Sequence, residues 1–465
     1  MGGIISQENQ RMPSASTRRY FLQSSAAMAA SVALSRYARA EDAPANPNPK
    51  SDKPMNPYKD VRVAFVGVGG RGAGNLGEAV KEGCTPVALV DVDSKRLGEA
   101  AKKHPKARTF DDWRKMLDAM HGEIDGVLVA TPDHNHAQVT MAAIRMGKHV
   151  YCEKPLTYEI WEARQIAEAA RKYKVCTQMG NQHHSEDGLR SQVDAIKSGV
   201  IGAVSEVHVW TDRPAGWWPQ PAKHSKELPA VPENLNYDMW IGPAAMRPYD
   251  PAYLPFKWRG WWDFGTGALG DMGCHLIDPP YWALDLDAPI SVEAETEGGT
   301  KETGPKWSII KYHFPARNGR GPVKLTWYDG GKLPPRDITD DEPLPDKKNG
   351  VIYVGEKGTL FAKTGGACER IGPRGKGVAT TAPNPTLPHS PGHHAEWFRA
   401  IVTNNAEPAL SNFDYSGPLT ETVLLGNLAV KLGKKIVWDS EKLEVINAPE
   451  AKELIHRKRR KGWEL

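Results

Sequence analysis

Cysteine is scarce in this sequence and never clustered. The five, Cys84, Cys152, Cys176, Cys274 and Cys368, are odd in number, far apart and free of any CxxC pair. That excludes a disulfide framework and a zinc ribbon, and predicts free, mostly buried thiols. Histidine offers no metal framework either. The pairs His134/His136, His183/His184 and His393/His394 lack the i, i+4 spacing of a helical zinc site, so no metal is expected. Long apolar runs are missing too. The one near the start, residues 26–34, is too short to cross a bilayer, and no integral membrane span is expected.

A charge excess is also missing from most of the chain. The formal net charge of +4 comes from the first forty residues, where Arg11, Arg18, Arg19, Arg36 and Arg39 face only Glu8. The remainder is balanced and gives no reason to invoke nucleic acid or an anionic membrane as a partner. Those forty residues read as an address. Thr17-Arg18-Arg19-Tyr20-Phe21-Leu22-Gln23 resembles a twin-arginine export signal, followed by the short apolar run and by Ala38-Arg39-Ala40, a small-residue cleavage pattern. Residues 1–40 are therefore expected to be a signal peptide and residues 41–57, rich in Pro, Asn and Lys, a linker. The mature protein is expected to be periplasmic or otherwise exported.

What is present begins at Val61. An apolar, β-rich run over residues 61–66 ends at Gly67. Gly67-x-Gly69-x-x-Gly72 follows at once, ahead of a helix-compatible run over 73–81. Strand, tight turn and helix in that order make a dinucleotide site. Gly67 makes the turn, Gly69 lets a pyrophosphate approach the backbone, and Gly72 lets helix and strand pack closely. Gly70 and Arg71 belong to the same cradle, whose free N–H groups face the phosphates. A second strand ends in Asp91, about twenty residues further on, where an acid meets a ribose diol. That acid would repel a 2′-phosphate, so NAD rather than NADP is expected.

Strands and helices then alternate to about residue 178. Residues 126–130 form a fully apolar run, as a parallel strand buried on both faces should. This predicts a doubly wound parallel sheet over residues 58–178, with ligands beyond the carboxyl ends of its strands. Gly67, Asp91, Thr131 and Lys154 all fall there. Strand-like runs at 204–210, 290–297, 307–314, 323–328, 351–354 and 359–362 predict an open, mainly antiparallel sheet in an α+β domain over 179–440. The basic run at 456–461, within residues 441–465, reads as a solvated tail.

The glycine turn, Thr131-Pro132-Asp133-His134-Asn135-His136 and Glu153-Lys154-Pro155 together resemble the Gfo/Idh/MocA family of glucose–fructose oxidoreductase and inositol dehydrogenase. The motifs occur in the family's order over most of residues 60–440. The resemblance implies a Rossmann domain followed by a sheet domain that often forms oligomers through its outer face, here a dimer or tetramer. It lays Thr131, Pro132, His136 and Glu153 along the cofactor and aims Lys154 at the reacting carbon, with the Lys–Pro peptide often cis. Asn181 is assigned to the cofactor and His183 to the substrate, and His394 is a further candidate substrate contact. The segment from Asp263 to Asp278 resembles the family's Gly-Gly-x-Leu-x-Asp-x-Gly-x-His-x-x-Asp pattern and carries Asp271 and His275.

The chemistry of these residues agrees with that implication. Asp271 and His275 are four apart and share one face of a helix. A neutral imidazole takes a proton at neutral pH, and a nearby carboxylate orients it. Lys154 would polarise a developing alkoxide. Aromatics crowd the same region, and flat rings with polar groups between them suit a sugar. Arg213, Trp261 and Trp262 are the candidate substrate contacts. Outside the cytoplasm little free NAD would renew a spent cofactor, so an enzyme there must hold its nucleotide tightly and return the hydride within one site. Three functions stay open: an oxidoreductase acting on sugar CH–OH groups, a redox-neutral glycosidase working through a keto-sugar, and a non-enzymatic sugar-binding protein. Lys154 favours the first, since the glycosidase relatives lack the lysine of Glu-Lys-Pro. Intact Lys154, Asp271 and His275 oppose the last.

Overall fold

The apolar runs that end at Gly67, Asp91, Thr131 and Lys154 lie side by side in one sheet. The computed structural model describes residues 57–465. The twin-arginine segment, and the linker apart from Pro57, lie outside the described residues. Strands β1 (Arg62–Val66), β2 (Thr85–Val90), β3 (Arg108–Phe110), β4 (Gly126–Val129), β5 (His149–Glu153) and β6 (Thr177–Gly180) pair in the order β3-β2-β1-β4-β5-β6. Every pairing is parallel. β4 is buried along its whole length, because helices cover both faces. The strand order reverses between β1 and β4, which opens a crevice at their carboxyl ends.

A second sheet holds β7 (Val204–Thr211), β8 (Ser291–Glu297), β9 (Trp307–Phe314), β10 (Val323–Tyr328), β11 (Asn349–Gly355), β12 (Thr359–Ala362), β13 (Glu369–Arg370), β14 (Ile436–Asp439) and β15 (Glu444–Val445). Their order is β13-β12-β11-β7-β10-β9-β8-β14-β15, antiparallel except for β7 with β10. In β9 buried and half-buried residues alternate strictly, the signature of a sheet with one face on a core.

Two helices join the sheets. Helix Phe413–Leu432 packs against both Ile160–Tyr173 and Gly267–Leu276. It begins well before Pro418: Asn412 caps it by accepting from the Asp414 N–H at 3.0 Å. Helix His393–Val402 returns to the parallel sheet, where Trp397 and Phe398 join Val63, Phe65, Leu128 and Tyr151 in one apolar cluster. All five cysteines are buried and free. Among the described residues no helix is long and apolar enough to cross a membrane.

The basic run at 456–461 is a solvated tail only in part: His456, Lys458 and Lys461 are exposed, whereas its arginines turn inward. Arg459 Nη2 reaches Glu159 and Glu162, both at 2.9 Å, with all three side chains buried. Arg457 pairs with Glu159 at 2.8 Å and lies over the Tyr158 ring. Two buried carboxylates side by side need a counter-charge, and the tail supplies it. Arg459→Met should therefore lower stability by about 3 kcal/mol or more in chemical denaturation. An unchanged midpoint would return the tail to the solvent.

Candidate functional site

The site is built outward from the glycine turn. β1 ends at Val66, Gly67 and Gly70 adopt φ of 85° and 53°, and helix Arg71–Glu82 starts immediately. A Cβ on Gly67 would lie 2.6 Å from the Ala130 carbonyl oxygen, and one on Gly72 would collide with the Gly67 carbonyl oxygen. No side chain caps the helix start, so the first-turn N–H groups other than that of Gly72, which donates to the Gly69 carbonyl at 3.0 Å, are left for an anion. Asp91 braces the turn from β2: its carboxylate accepts from the Val68 and Asp93 N–H groups, each at 2.9 Å. Burial raises its pKa against those two bonds. These features fit a nicotinamide dinucleotide, with its pyrophosphate on the turn and a ribose at Asp91.

The Thr131–His136 loop locks the turn to the second domain. Asp133 accepts from the Thr266 N–H and hydroxyl at 3.1 and 2.6 Å. The His134 ring contacts the Phe264 and Trp240 carbonyls. The two nitrogens of His136 meet the Pro155 and Thr131 carbonyls, both at 2.8 Å, so this one ring holds both loops that flank the cleft. Glu153 is held beside the turn by Asn75 at 2.8 Å, Gln182 at 2.7 Å and Arg71 at 3.4 Å. The Lys154–Pro155 peptide is cis.

At the far end, Lys154 Nζ donates to Asp271 Oδ1 at 2.8 Å and to the Asp271 backbone carbonyl. Arg213 also pairs with Asp271, and Arg259 Nε stands 3.6 Å from it. Asp271 is thus bound to cations, not to His275, although both project from helix Gly267–Leu276. Burial alone would raise its carboxyl, but Lys154, then Arg213 and Arg259, hold it well below the usual carboxylate range. The His275 Nδ1 is buried without a partner among the described residues. Its ring centroid lies 5.0 Å from that of His183, which contacts Glu186 at 2.7 Å. Burial, then the Lys154 and His183 charges, pulls the His275 pKa well below the ordinary imidazole value.

These groups share one cavity of about 870 Å³. Gly67, Gly69, Gly70, Arg71, Asp91, Thr131, Pro132, His136, Glu153, Lys154, His183, Arg213, Asp271 and His275 all line it. Gly72 sits behind the turn. Asn181 does not reach the cleft: it is fully buried between Asp278, at 3.0 Å, and Ser411, at 2.6 Å. Trp261 is core, its Nε1 donating to the Ala252 carbonyl at 3.0 Å. Trp262 faces Lys431, and its carbonyl accepts from the Tyr158 hydroxyl. Trp217 and Trp258 line the cleft in their place. His394 is also off the cleft, stacked on Tyr151. Sequence reading missed Asn75 and Gln182. A polar residue on the buried face of helix Arg71–Glu82 was the available signal for Asn75; Gln182 carried none.

Two outcomes are expected. Gly72→Ala should lower the nicotinamide nucleotide carried by the purified protein roughly tenfold or more, read by absorbance after denaturation, and a wild-type content would show that the turn accepts a side chain. For His394, burial, then His393 and Arg71, brings the pKa down to about 3. The unfolded ring titrates near ~6.5, so between these values only the unfolded chain binds the proton, and stability falls as pH falls. His394→Phe keeps the stack without the proton. It should match wild type at about pH 8 and outlast it thermally at about pH 5; equal acid loss would contradict this assignment.

Comparison with known proteins agrees with the geometry. Residues 61–181 match the model of the oxidoreductase family's NAD-binding Rossmann fold, and residues 189–319 that of its C-terminal alpha/beta domain. The rhizopine catabolism protein MocA of Rhizobium meliloti is 31% identical over 30% of this chain and 44% of its own length. Glycosyl hydrolase family 109 protein 1 of Akkermansia muciniphila is 28% identical over 41% of this chain and 47% of its own length. The matched stretch thus spans under half of each of these curated relatives. The WlbA dehydrogenase of Bordetella pertussis, solved with NADH and UDP-GlcNAcA, superposes with a TM-score of 0.57 at 18% identity, covering 82% of this chain and 99% of that one. With both family models matched, over residues 61–181 and 189–319, and the fold shared, the chain belongs to the Gfo/Idh/MocA family of NAD-binding oxidoreductases.

Proposed function

We propose that the cleft moves a hydride between a tightly held nicotinamide, NAD rather than NADP, and a CH–OH carbon of a sugar or sugar derivative. The observation that carries this is the convergence of Lys154, Asp271 and His275 in the cavity opened by the glycine turn. When bound, the nicotinamide supplies the hydride acceptor or donor. Asp271 fixes the Lys154 amine at the cleft wall, where its N–H groups meet an oxygen gaining negative charge. His275, kept neutral by its surroundings, takes the proton of the hydroxyl. Those same surroundings disfavour its charged form, so the proton goes on to bulk solvent through the open cleft that His275 lines.

The twin-arginine resemblance supports an exported protein, and with it retention of the nucleotide across turnovers. A dimer or tetramer through the outer face of the nine-stranded sheet completes the proposal. A second reading is redox-neutral glycoside cleavage through a keto-sugar, favoured by the similarity to glycosyl hydrolase family 109 protein 1. Lys154 argues for the first.

Purified protein should carry nucleotide released only on denaturation, in near one-to-one amount by absorbance. A freely exchanging cofactor would end the retention argument. Lys154→Met should lower turnover by roughly two to three orders of magnitude, and His275→Ala by a similar factor, with unchanged circular dichroism. Near wild-type rates would remove both from the chemistry. Product masses from glycosides separate net oxidation from bond cleavage.

A further inference from the structure

The sugar end of the cleft carries more positive charge than the protein itself balances. Lys154, Arg213 and Arg259 come from three separate stretches of chain and face one carboxylate, Asp271. Among the described residues none of the three pairs with any other acid. Asp133, the other carboxylate on this wall, is already bonded by Thr266. Asp133 also has the His136 ring beside it, whose pKa the groups around it raise to about 10 against the effect of burial, so it leaves no charge over to balance the three cations on Asp271. His275 adds no charge, being held neutral, and His183 has its own partner in Glu186. The three cationic side chains are only 14%, 19% and 20% exposed, so an uncompensated charge here is costly.

The two guanidinium groups are also shaped for a planar anion. The Arg213 guanidinium lies over Trp217 at 3.9 Å, and that of Arg259 over Trp258 at 4.3 Å. Rings on the faces fix the planes and leave the N–H edges free, and a carboxylate is recognised at those edges. Arg259 uses Nη1 on the Phe256 carbonyl, and its Nε is too far from Asp271 for a hydrogen bond. Its Nη2 has no partner among the described residues. Neither do Nε and Nη2 of Arg213, which binds Asp271 through Nη1.

We propose that the substrate is a sugar acid, whose carboxylate is taken by Arg259 and Arg213 while its reacting CH–OH carbon faces Lys154. The carboxylate is a handle and does not change in the reaction. The placement of the reacting carbon rests on the redox reading of the same cleft, whereas the charge recognition can be read independently of it.

The test uses the nucleotide-loaded protein and a panel of D-glucuronate, D-galacturonate and D-gluconate. Each is set against a neutral counterpart, the methyl ester or the parent sugar, and against glucose 6-phosphate. Binding is read by calorimetry and reaction by nicotinamide absorbance. At least one acid should bind roughly tenfold or more tightly than its neutral counterpart, and Arg259→Gln should bring it down to the neutral ligand's affinity. A panel in which no acid outbinds its counterpart, or in which the phosphate binds tightest, overturns the inference. Preferred acid binding with silent absorbance would uphold the charge recognition and sink the redox reading. Equal reduction by acids and neutral sugars would do the reverse. If Arg259→Gln fails to fold, the acid-against-ester comparison on the native protein decides.

Discussion

The Lys154–Asp271 ion pair is the contact on which the rest of the site depends. It joins the loop after β5 of the parallel sheet to a helix of the second domain. Both side chains are largely buried, so neither charge has water to fall back on. Without the aspartate, Lys154, Arg213 and Arg259 would repel one another across the cleft. Without the lysine, the aspartate would lose the largest of the influences that keep it ionised. The pair sets the distance between the half that takes the nucleotide and the half that takes the substrate.

Backbone carbonyls reinforce that distance. Asp133, His134 and His136 sit on one short loop and reach Thr266, Phe264, Trp240, Thr131 and Pro155. Histidine suits this work because one flat ring presents two polar atoms in opposite directions. Two of the four carbonyl partners of the two rings, those of Thr131 and Pro155, belong to loops bordering the cleft, so the Thr131–His136 loop and the cis Lys154–Pro155 segment are positioned as one piece. Sequence motif and mechanical brace are the same residues.

Much of the parallel sheet was legible because its signals are local. Each buried strand is an apolar run, and each turn that opens onto the cleft is marked by Gly67, Asp91, Thr131 or Lys154. The edge strand β3 was not legible: three residues, Arg108 to Phe110, half-buried or exposed, carry no period. Pro418 sits inside helix Phe413–Leu432, six residues past the Asn412 cap. In the site, residue type identified Lys154, Asp271 and His275 but not their pairing. Spacing on a helix predicts that Asp271 and His275 share a face. It does not reveal that Arg213, fifty-eight residues away in sequence, draws the carboxylate elsewhere. Trp261, Trp262 and Asn181 failed for the same reason, since whether a ring or amide faces a cavity or a core is decided by distant packing.

The clamp of Arg459 on Glu159 and Glu162 spans 300 residues of chain. Glu159 lies five positions beyond Lys154, so the segment that follows this lysine is set by a stretch made far later. A ribosome delivers the nucleotide cradle early and its closing brace late. A chain cut short before residue 457 would keep the Gly67–Gly72 turn and leave Glu159 and Glu162 without the cations that face them.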